Sequence, residues 1–216
     1  MSAPLLQVTE LSHKYGPFQA LAPTDFSLEA GQITILTGPN GAGKSTLLLC
    51  LSGLLYPTTG SIRIEEYDLY QHEREAKSRL AFVPDVPRFY TELTAWEHLQ
   101  FIALAHKAGE GFERRAEALL REFNLWDARE LFPHNYSRGM RLKLGLVMAL
   151  IRPFRVLLLD EPTSALDADG LALVQHKLIE LRAAGAAILL SSHDQLLSGS
   201  LADQVWRMNQ GQLDID

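Results

Sequence analysis

The chain has 216 residues, 47% of them hydrophobic, with 20 Lys and Arg against 26 Asp and Glu, a formal net charge of −6. A chain of this length buries roughly 70% of its unfolded surface, so intrinsic disorder is excluded, and the acidic balance excludes a general nucleic-acid surface, which needs clustered positive charge. The longest apolar run lies near Leu47 to Leu55 and is interrupted by Ser52 and Gly53, well short of the roughly 20 residues that span a bilayer.

Met1-Ser2-Ala3-Pro4 lacks the basic patch and long apolar stretch of a leader. Leu6 to Leu11 roughly alternates and predicts a strand. Phe26 to Glu29 alternates and stops at Ala30-Gly31, and Ile33 to Thr37 predicts a third strand before the breaker Gly38-Pro39-Asn40-Gly41. From Lys44 the pattern becomes helical through Leu47, Leu48, Leu51, Leu54 and Leu55. The one cysteine, Cys50, falls on the apolar face of this helix and reads as buried packing; no internal disulfide is available, which fits a reducing cytoplasm. Ser61 to Glu65 alternates again.

Between Leu93 and Arg152 helix formers dominate. Thr94 and Glu97 have the spacing of a capping box, and Ala108 to Gly111 separates two helices. After Pro153 the strands return as unbroken apolar runs, Val156–Leu159 and Ile188–Leu190, with a helical segment from Leu171 to Arg182 between them. Unbroken runs that alternate with helices predict parallel strands covered on both faces. The reading is one α/β body, residues 1–85 and 152–216, which the motifs below make nucleotide-binding, with a helical subdomain at 86–151.

Gly38-Pro39-Asn40-Gly41-Ala42-Gly43-Lys44-Ser45-Thr46 fits the phosphate-loop pattern GxxxxGK[ST], with an apolar strand before it and a helix after it. Glycines let successive backbone N–H groups face inward around phosphate oxygens, and the helix points its positive end at the anion. Lys44 adds a point charge, and the Ser45 hydroxyl is a Mg²⁺ ligand in such loops. Asp160-Glu161 follows the run Val156–Leu159, and the carboxyl ends of buried strands are where open α/β sheets place ligands. Asp160 is the candidate metal-anchoring acid and Glu161 the candidate base for an attacking water. Taken alone, this acid pair reads equally as an acidic helix start.

Further motifs stand in order along the chain: Leu11-Ser12-His13-Lys14-Tyr15-Gly16, Tyr136-Ser137-Arg138-Gly139-Met140, Ser164-Ala165-Leu166-Asp167, and His193 after Ile188–Ser192. Together with the phosphate loop and the acid pair they resemble the ATP-binding subunit of an ATP-binding-cassette (ABC) transporter, over nearly the whole chain. The resemblance implies the fold of the phosphate-loop ABC ATPases: a mixed, mainly parallel sheet, an N-terminal antiparallel β-subdomain and an α-helical insert. It also implies ATP and Mg²⁺ as cofactors. Tyr15 would stack on adenine. Ser137 and Gly139, in the stretch usually written LSGGQ, would receive the terminal phosphate of ATP held by a second copy. Asp167 would lie at the dimer seam and His193 near that phosphate. Three of these have a plainer alternative: an ordinary strand-end Tyr for Tyr15, helix capping for Ser137 and Asp167. The other six histidines, at 13, 72, 98, 106, 134 and 176, show no ligand spacing and read as surface or structural.

Two places depart from the family pattern. Asp85, in Phe82-Val83-Pro84-Asp85, stands where a Gln is usual; it is a candidate acceptor for metal-bound water, against the plainer reading of a Pro-Asp turn. Arg138 replaces the first signature glycine and Met140 the usual Gln. The Tyr-Ser-basic-Gly-Met form resembles exporters with separate ATPase and membrane chains. The expected partners are therefore a second ATPase subunit, most simply another copy, and a polytopic transmembrane permease, with no nucleic acid. The chain is expected in the cytoplasm, peripheral on the membrane. Asp85 to Trp96, with Val86, Pro87, Phe89, Tyr90 and Trp96, is the expected docking stretch, unless those aromatics only pack the insert. The rival readings are a soluble ATP-gated assembly protein and a phosphate-loop kinase; the first needs long coiled coils, and the second leaves the signature and His193 without a role.

Overall fold

A computed structural model describes residues 3–193 and 201–215; Met1 and Ser2 of the leader reading lie outside these. Two sheets carry the strands. The first is antiparallel: β1 (Leu6–Tyr15) pairs with β2 (Phe18–Leu28) and with β4 (Thr59–Ile64), which pairs with the short β5 (Tyr67–Asp68). Along β1 the alternation of buried Leu6 and Val8 with exposed Gln7 and Thr9 breaks at Glu10, which sits at φ 48° beside a register shift. Leu11, Ser12 and His13 are all buried beyond it. An extra residue in one strand has this effect, because it resets which face the side chains meet.

The second sheet has the order β10-β9-β3-β8-β7-β6, from β10 (Gln212–Ile215), β9 (Gln204–Asn209), β3 (Gln32–Thr37), β8 (Ala187–Ser191), β7 (Val156–Leu159) and β6 (Leu80–Val83). β3 runs parallel to β8 and β9, and β7 parallel to β8, while β9 and β10 form an antiparallel pair. Every residue of β7 and β8 is buried, which is why their sequence is unbroken rather than alternating. The expected mixed sheet beside an N-terminal antiparallel sheet is thus present. The helix after β3, α1 (Lys44–Leu51), is shorter than its leucine pattern predicts. The N–H groups of Leu54 and Leu55 both close onto the Leu49 carbonyl at 3.1 Å, which ends the helix and leaves Leu54 exposed.

Two compact units emerge. One comprises Met1–Phe82, Phe154–Glu161 and Gln175–Asp216, and contains both sheets. Its core includes Leu6, Leu36, Leu47, Leu158, Leu189 and Trp206. The other comprises Val83–Pro153 and Pro162–Val174 and is helical. It holds α3 (Ala95–Ala105), α4 (Phe112–Glu122), α5 (Arg138–Leu150) and the start of α6 (Ala168–Ala183), after the short α2 (Glu73–Ser78) of the first unit. The capping box is present: the Glu97 N–H donates to Thr94 Oγ1 at 3.2 Å, and the Thr94 N–H donates to Glu97 Oε2 at 2.7 Å. His98 is buried as a structural group. Its Nε2 accepts the Tyr90 N–H at 2.9 Å, so Nδ1 carries the proton given to the Thr94 carbonyl at 2.7 Å.

Cys50 is fully buried, and burial pushes its thiol up to about 12. The thiolate is the reactive form. At pH 8 a soluble maleimide is therefore expected to leave the native chain unlabelled and to label it promptly in denaturant; mass spectrometry of both samples checks this.

Candidate functional site

In the sheet-bearing unit the phosphate loop links β3 to α1. Gly43 is the N-cap of α1 at φ 109°, and a Cβ there would stand 2.5 Å from the Ala20 carbonyl oxygen, so neither the backbone nor the space admits a side chain. The first N–H groups of a helix have no acceptor within it, which makes the start of α1 a donor set for an anion. Lys44 is buried and folds back over the loop. Its Nζ donates to the Gly38 carbonyl at 2.7 Å and to that of Pro39 at 3.2 Å. Ser45 beside it is exposed and Thr46 half-buried.

Asp160 and Glu161 leave the end of β7 next to the end of β8. The register pairs Leu159 with Leu190, so the following residues, Asp160 and Ser191, are neighbours. The Ser191 hydroxyl donates to Asp160 Oδ1 at 2.6 Å and accepts the Glu161 N–H at 2.9 Å. One hydroxyl thereby fixes both acids, and it holds Glu161 in the left-handed region at φ 49°. A non-glycine residue there costs about 1–3 kcal/mol and persists only where its surroundings enforce it. Glu161 Oε1 is buried and lies 2.9 Å from His193 Nε2, without the alignment of a hydrogen bond. Burial raises the Glu161 carboxyl above the ordinary carboxylate range. His193 and Lys44 pull it down and Asp160 pushes it up, and burial prevails. A carboxylate raised in this way is a stronger base than a free one.

Ser191 was not anticipated from the sequence. A serine at a strand end carries no signal of its own, and only the register of two strands distant in the chain reveals its partners. For a metal, the donor chemistry of this unit is one hydroxyl, Ser45, and one buried carboxylate, Asp160. Such a pair suits Mg²⁺, which keeps waters and takes substrate phosphates for its remaining positions. Among the described residues no group of three or more His, Cys, Asp or Glu could hold a metal by itself. Tyr15 is half exposed at the end of β1, with the buried His13 ring edge-on at 4.6 Å. Neither ring nitrogen of His13 has a hydrogen-bond partner.

The helical unit holds the remaining candidates. Ser137 is the N-cap of α5, and its Oγ accepts the Met140 N–H at 3.1 Å. Asp167 Oδ1 accepts the Gly170 N–H at 2.9 Å at the start of α6. The plainer capping roles of both residues are therefore present, and they leave other N–H groups of each first turn available. Gly139 lies so close to the Ala165 carbonyl that a Cβ would stand 2.7 Å from its oxygen. Asp85, read as an acceptor for metal-bound water, belongs to this unit rather than to that of Ser45 and Asp160. Its Oδ1 accepts from Arg138 Nη2 at 3.0 Å and from the Ser164 hydroxyl at 2.8 Å. The aromatics of the docking stretch divide. Trp96 packs against Phe112 and Trp126, and Phe89 against His98, while Val86 and Tyr90 stay exposed along with Phe101 and Leu104.

A family model for ABC transporters matches residues 21–164. The chain is 36% identical over 204 residues to the putative HMP/thiamine import ATP-binding protein YkoD of Bacillus subtilis (strain 168), which covers 93% of this chain and 37% of YkoD. It is 32% identical over 210 residues to the SkfA peptide export ATP-binding protein SkfE of the same organism, covering 97% of this chain and 87% of SkfE. Among solved structures, one described as the ATP-binding subunit of an ABC transporter is 33% identical, with a TM-score of 0.91 over 98% of this chain and 90% of that one.

Residues that orient metal-binding or catalytic groups from behind typically cost about 10–100-fold when removed. If Asp160 holds a metal and Glu161 acts as a base, Ser191→Ala would lower ATPase turnover within that range and raise the Mg²⁺ concentration needed for half-maximal rate. Magnesium titration of the steady-state rate checks it.

Proposed function

Because the chain belongs to the ABC transporter family, we propose that it binds and hydrolyses ATP and so drives a separate membrane-spanning partner. The observation that carries this reading is the grouping, in one unit, of the phosphate loop with the Asp160–Ser191–Glu161 arrangement and His193. Two copies bind two ATP at their shared interface. The loop from Gly38 to Thr46 and Lys44 hold the phosphates of each, and Tyr15 stacks on the base. Ser137 and Gly139 of the other copy receive the terminal phosphate, with Asp167 at the seam. For Lys44 this requires its ammonium to exchange the Gly38 and Pro39 carbonyls for phosphate oxygens, a favourable exchange of dipoles for a full charge.

Ser45 and Asp160 would hold a Mg²⁺ ion, which would supply charge neutralisation for the phosphates. Glu161 removes a proton from the water that attacks the terminal phosphorus. The bond to the bridging oxygen breaks, and ADP and phosphate result. His193 lies against Glu161 Oε1, where it can share a hydrogen bond with the phosphate. A positioned base contributes about 10²–10⁴-fold in rate. Closure of the dimer on ATP and its reopening after hydrolysis are the motions passed to the membrane partner. Val86, Tyr90, Phe101 and Leu104 form the apolar face offered to that partner. Export is the direction favoured by the Tyr136–Met140 variant; the named relatives include an import and an export protein.

Among the described residues no helix is long and apolar enough to cross a membrane, so in this reading attachment runs through the partner. Glu161→Gln is expected to bind ATP normally, to lose about 10²–10⁴-fold in turnover and to accumulate as an ATP-bound dimer; gel filtration with and without ATP checks it. Unimpaired hydrolysis would remove Glu161 from the base role. Lys44→Ala is expected to abolish tight ATP binding in a titration calorimeter. Co-purification with a polytopic membrane protein that stimulates the ATPase separates transport from a soluble role.

A further inference from the structure

Asp85, Arg138 and Ser164 come from three separate segments of the helical unit: the loop after β6, the first residue of α5 and the turn before α6. Arg138 Nη2 donates to Asp85 Oδ1 at 3.0 Å and to Ser164 Oγ at 3.2 Å, and the Ser164 hydroxyl donates to the same Oδ1 at 2.8 Å. Asp85 and Arg138 are two of the residues at which the sequence leaves its family pattern, with Met140 the third, and each is the other's partner. A carboxylate or a guanidinium introduced alone would leave one unmatched charge near the proposed phosphate site. Introduced together they neutralise each other.

The pair is held loosely. The Arg138 side chain is 56% exposed and that of Asp85 38%. Exposed pairs of this kind shift an equilibrium by no more than about 5-fold. The guanidinium stands next in sequence to Ser137, the residue proposed above to meet a terminal phosphate. A phosphate carries more negative charge than a carboxylate, and it takes two parallel N–H groups from the planar fork. The contact to Asp85 and Ser164 is therefore one that an arriving phosphate can displace.

We propose that Arg138 is a two-position cation. Asp85 and Ser164 hold it before a second copy docks, and the terminal phosphate of ATP on that copy takes it from them. The proposal rests on the dimer reading above and adds the residue that sets how much ATP dimer formation needs. It also gives the nucleotide a path to the docking stretch, because Asp85 directly precedes the exposed Val86. When Arg138 leaves, the tie between that loop and the start of α5 is released, while the Ser164 hydroxyl keeps its own bond to Asp85. Asp85 is thus a competitor of the nucleotide, and the two charges have opposite effects on dimer formation.

The test uses the full chain in the Glu161→Gln background, with dimer formation followed by light scattering across an ATP titration. Asp85→Asn is expected to lower the ATP concentration at half-dimer by up to about 5-fold. Arg138→Gln is expected to raise it by about 10-fold, the usual scale for a hydrogen bond to a charged group. With Arg138→Gln already present, Asp85→Asn is expected to change nothing further. If both substitutions weaken dimer formation, or if Asp85→Asn acts equally with and without Arg138, the three residues are a structural tie and the proposal falls. A Glu161→Gln parent that binds ATP yet stays monomeric overturns the dimer reading itself, and the proposal with it; a dimerising parent confines any failure to Arg138.

Discussion

Asp160 is a buried carboxylate at the end of a wholly apolar strand, and its 2.6 Å bond to the Ser191 hydroxyl is the contact on which the phosphate-binding end depends. Burying an ionised carboxylate is costly unless hydrogen bonds replace its water. The hydroxyl supplies one such bond and uses a lone pair for the Glu161 N–H. That second bond turns the chain into a left-handed conformation, which carries the Glu161 side chain away from the strand direction. Two acids adjacent in sequence therefore occupy different environments. One is anchored and available as a hard oxygen ligand. The other is raised by burial and placed beside His193.

The helical unit solves a different problem. Its charged and polar groups sit at helix starts, where the backbone already has unpaired donors. Ser137 and Asp167 each satisfy one N–H of a first turn. Capping and anion binding are two uses of the same geometry, because a cap accounts for only part of the donor set. The close approach of Gly139 to the Ala165 carbonyl joins the starts of α5 and α6. The Arg138–Asp85–Ser164 contacts join those starts to the loop after β6. One contact is fixed by packing and the other by exposed charge, so the second is far easier to rearrange than the first.

Local patterns were readable wherever a residue's neighbours in space are also its neighbours in sequence. The phosphate loop, the capping box at Thr94 and the caps at Ser137 and Asp167 all depend on spacings of a few residues. The runs Val156–Leu159 and Ile188–Leu190 announced buried parallel strands because both of their faces are covered. The leucines after Leu51 misled for the same local reason: their periodicity continues, whereas the backbone closes onto Leu49 and turns away. The aromatics between Asp85 and Trp96 could not be sorted by sequence, since whether Trp96 meets Trp126 and Tyr90 meets solvent depends on how three helices pack.

By itself, then, the sequence determined the class of fold and the spacing of its local motifs, because glycine spacing, hydrophobic period and capping act over a single turn of chain, whereas β5, α2, β9 and β10 carried no pattern that was read. Tertiary structure alone decided that Ser191 fixes Asp160 and Glu161 from 31 and 30 residues away, and that Arg138 pairs with Asp85 across 53. Those contacts follow from strand register and helix packing, which no local pattern encodes. The acidic net charge said nothing about either, since both rest on single bonds between named groups.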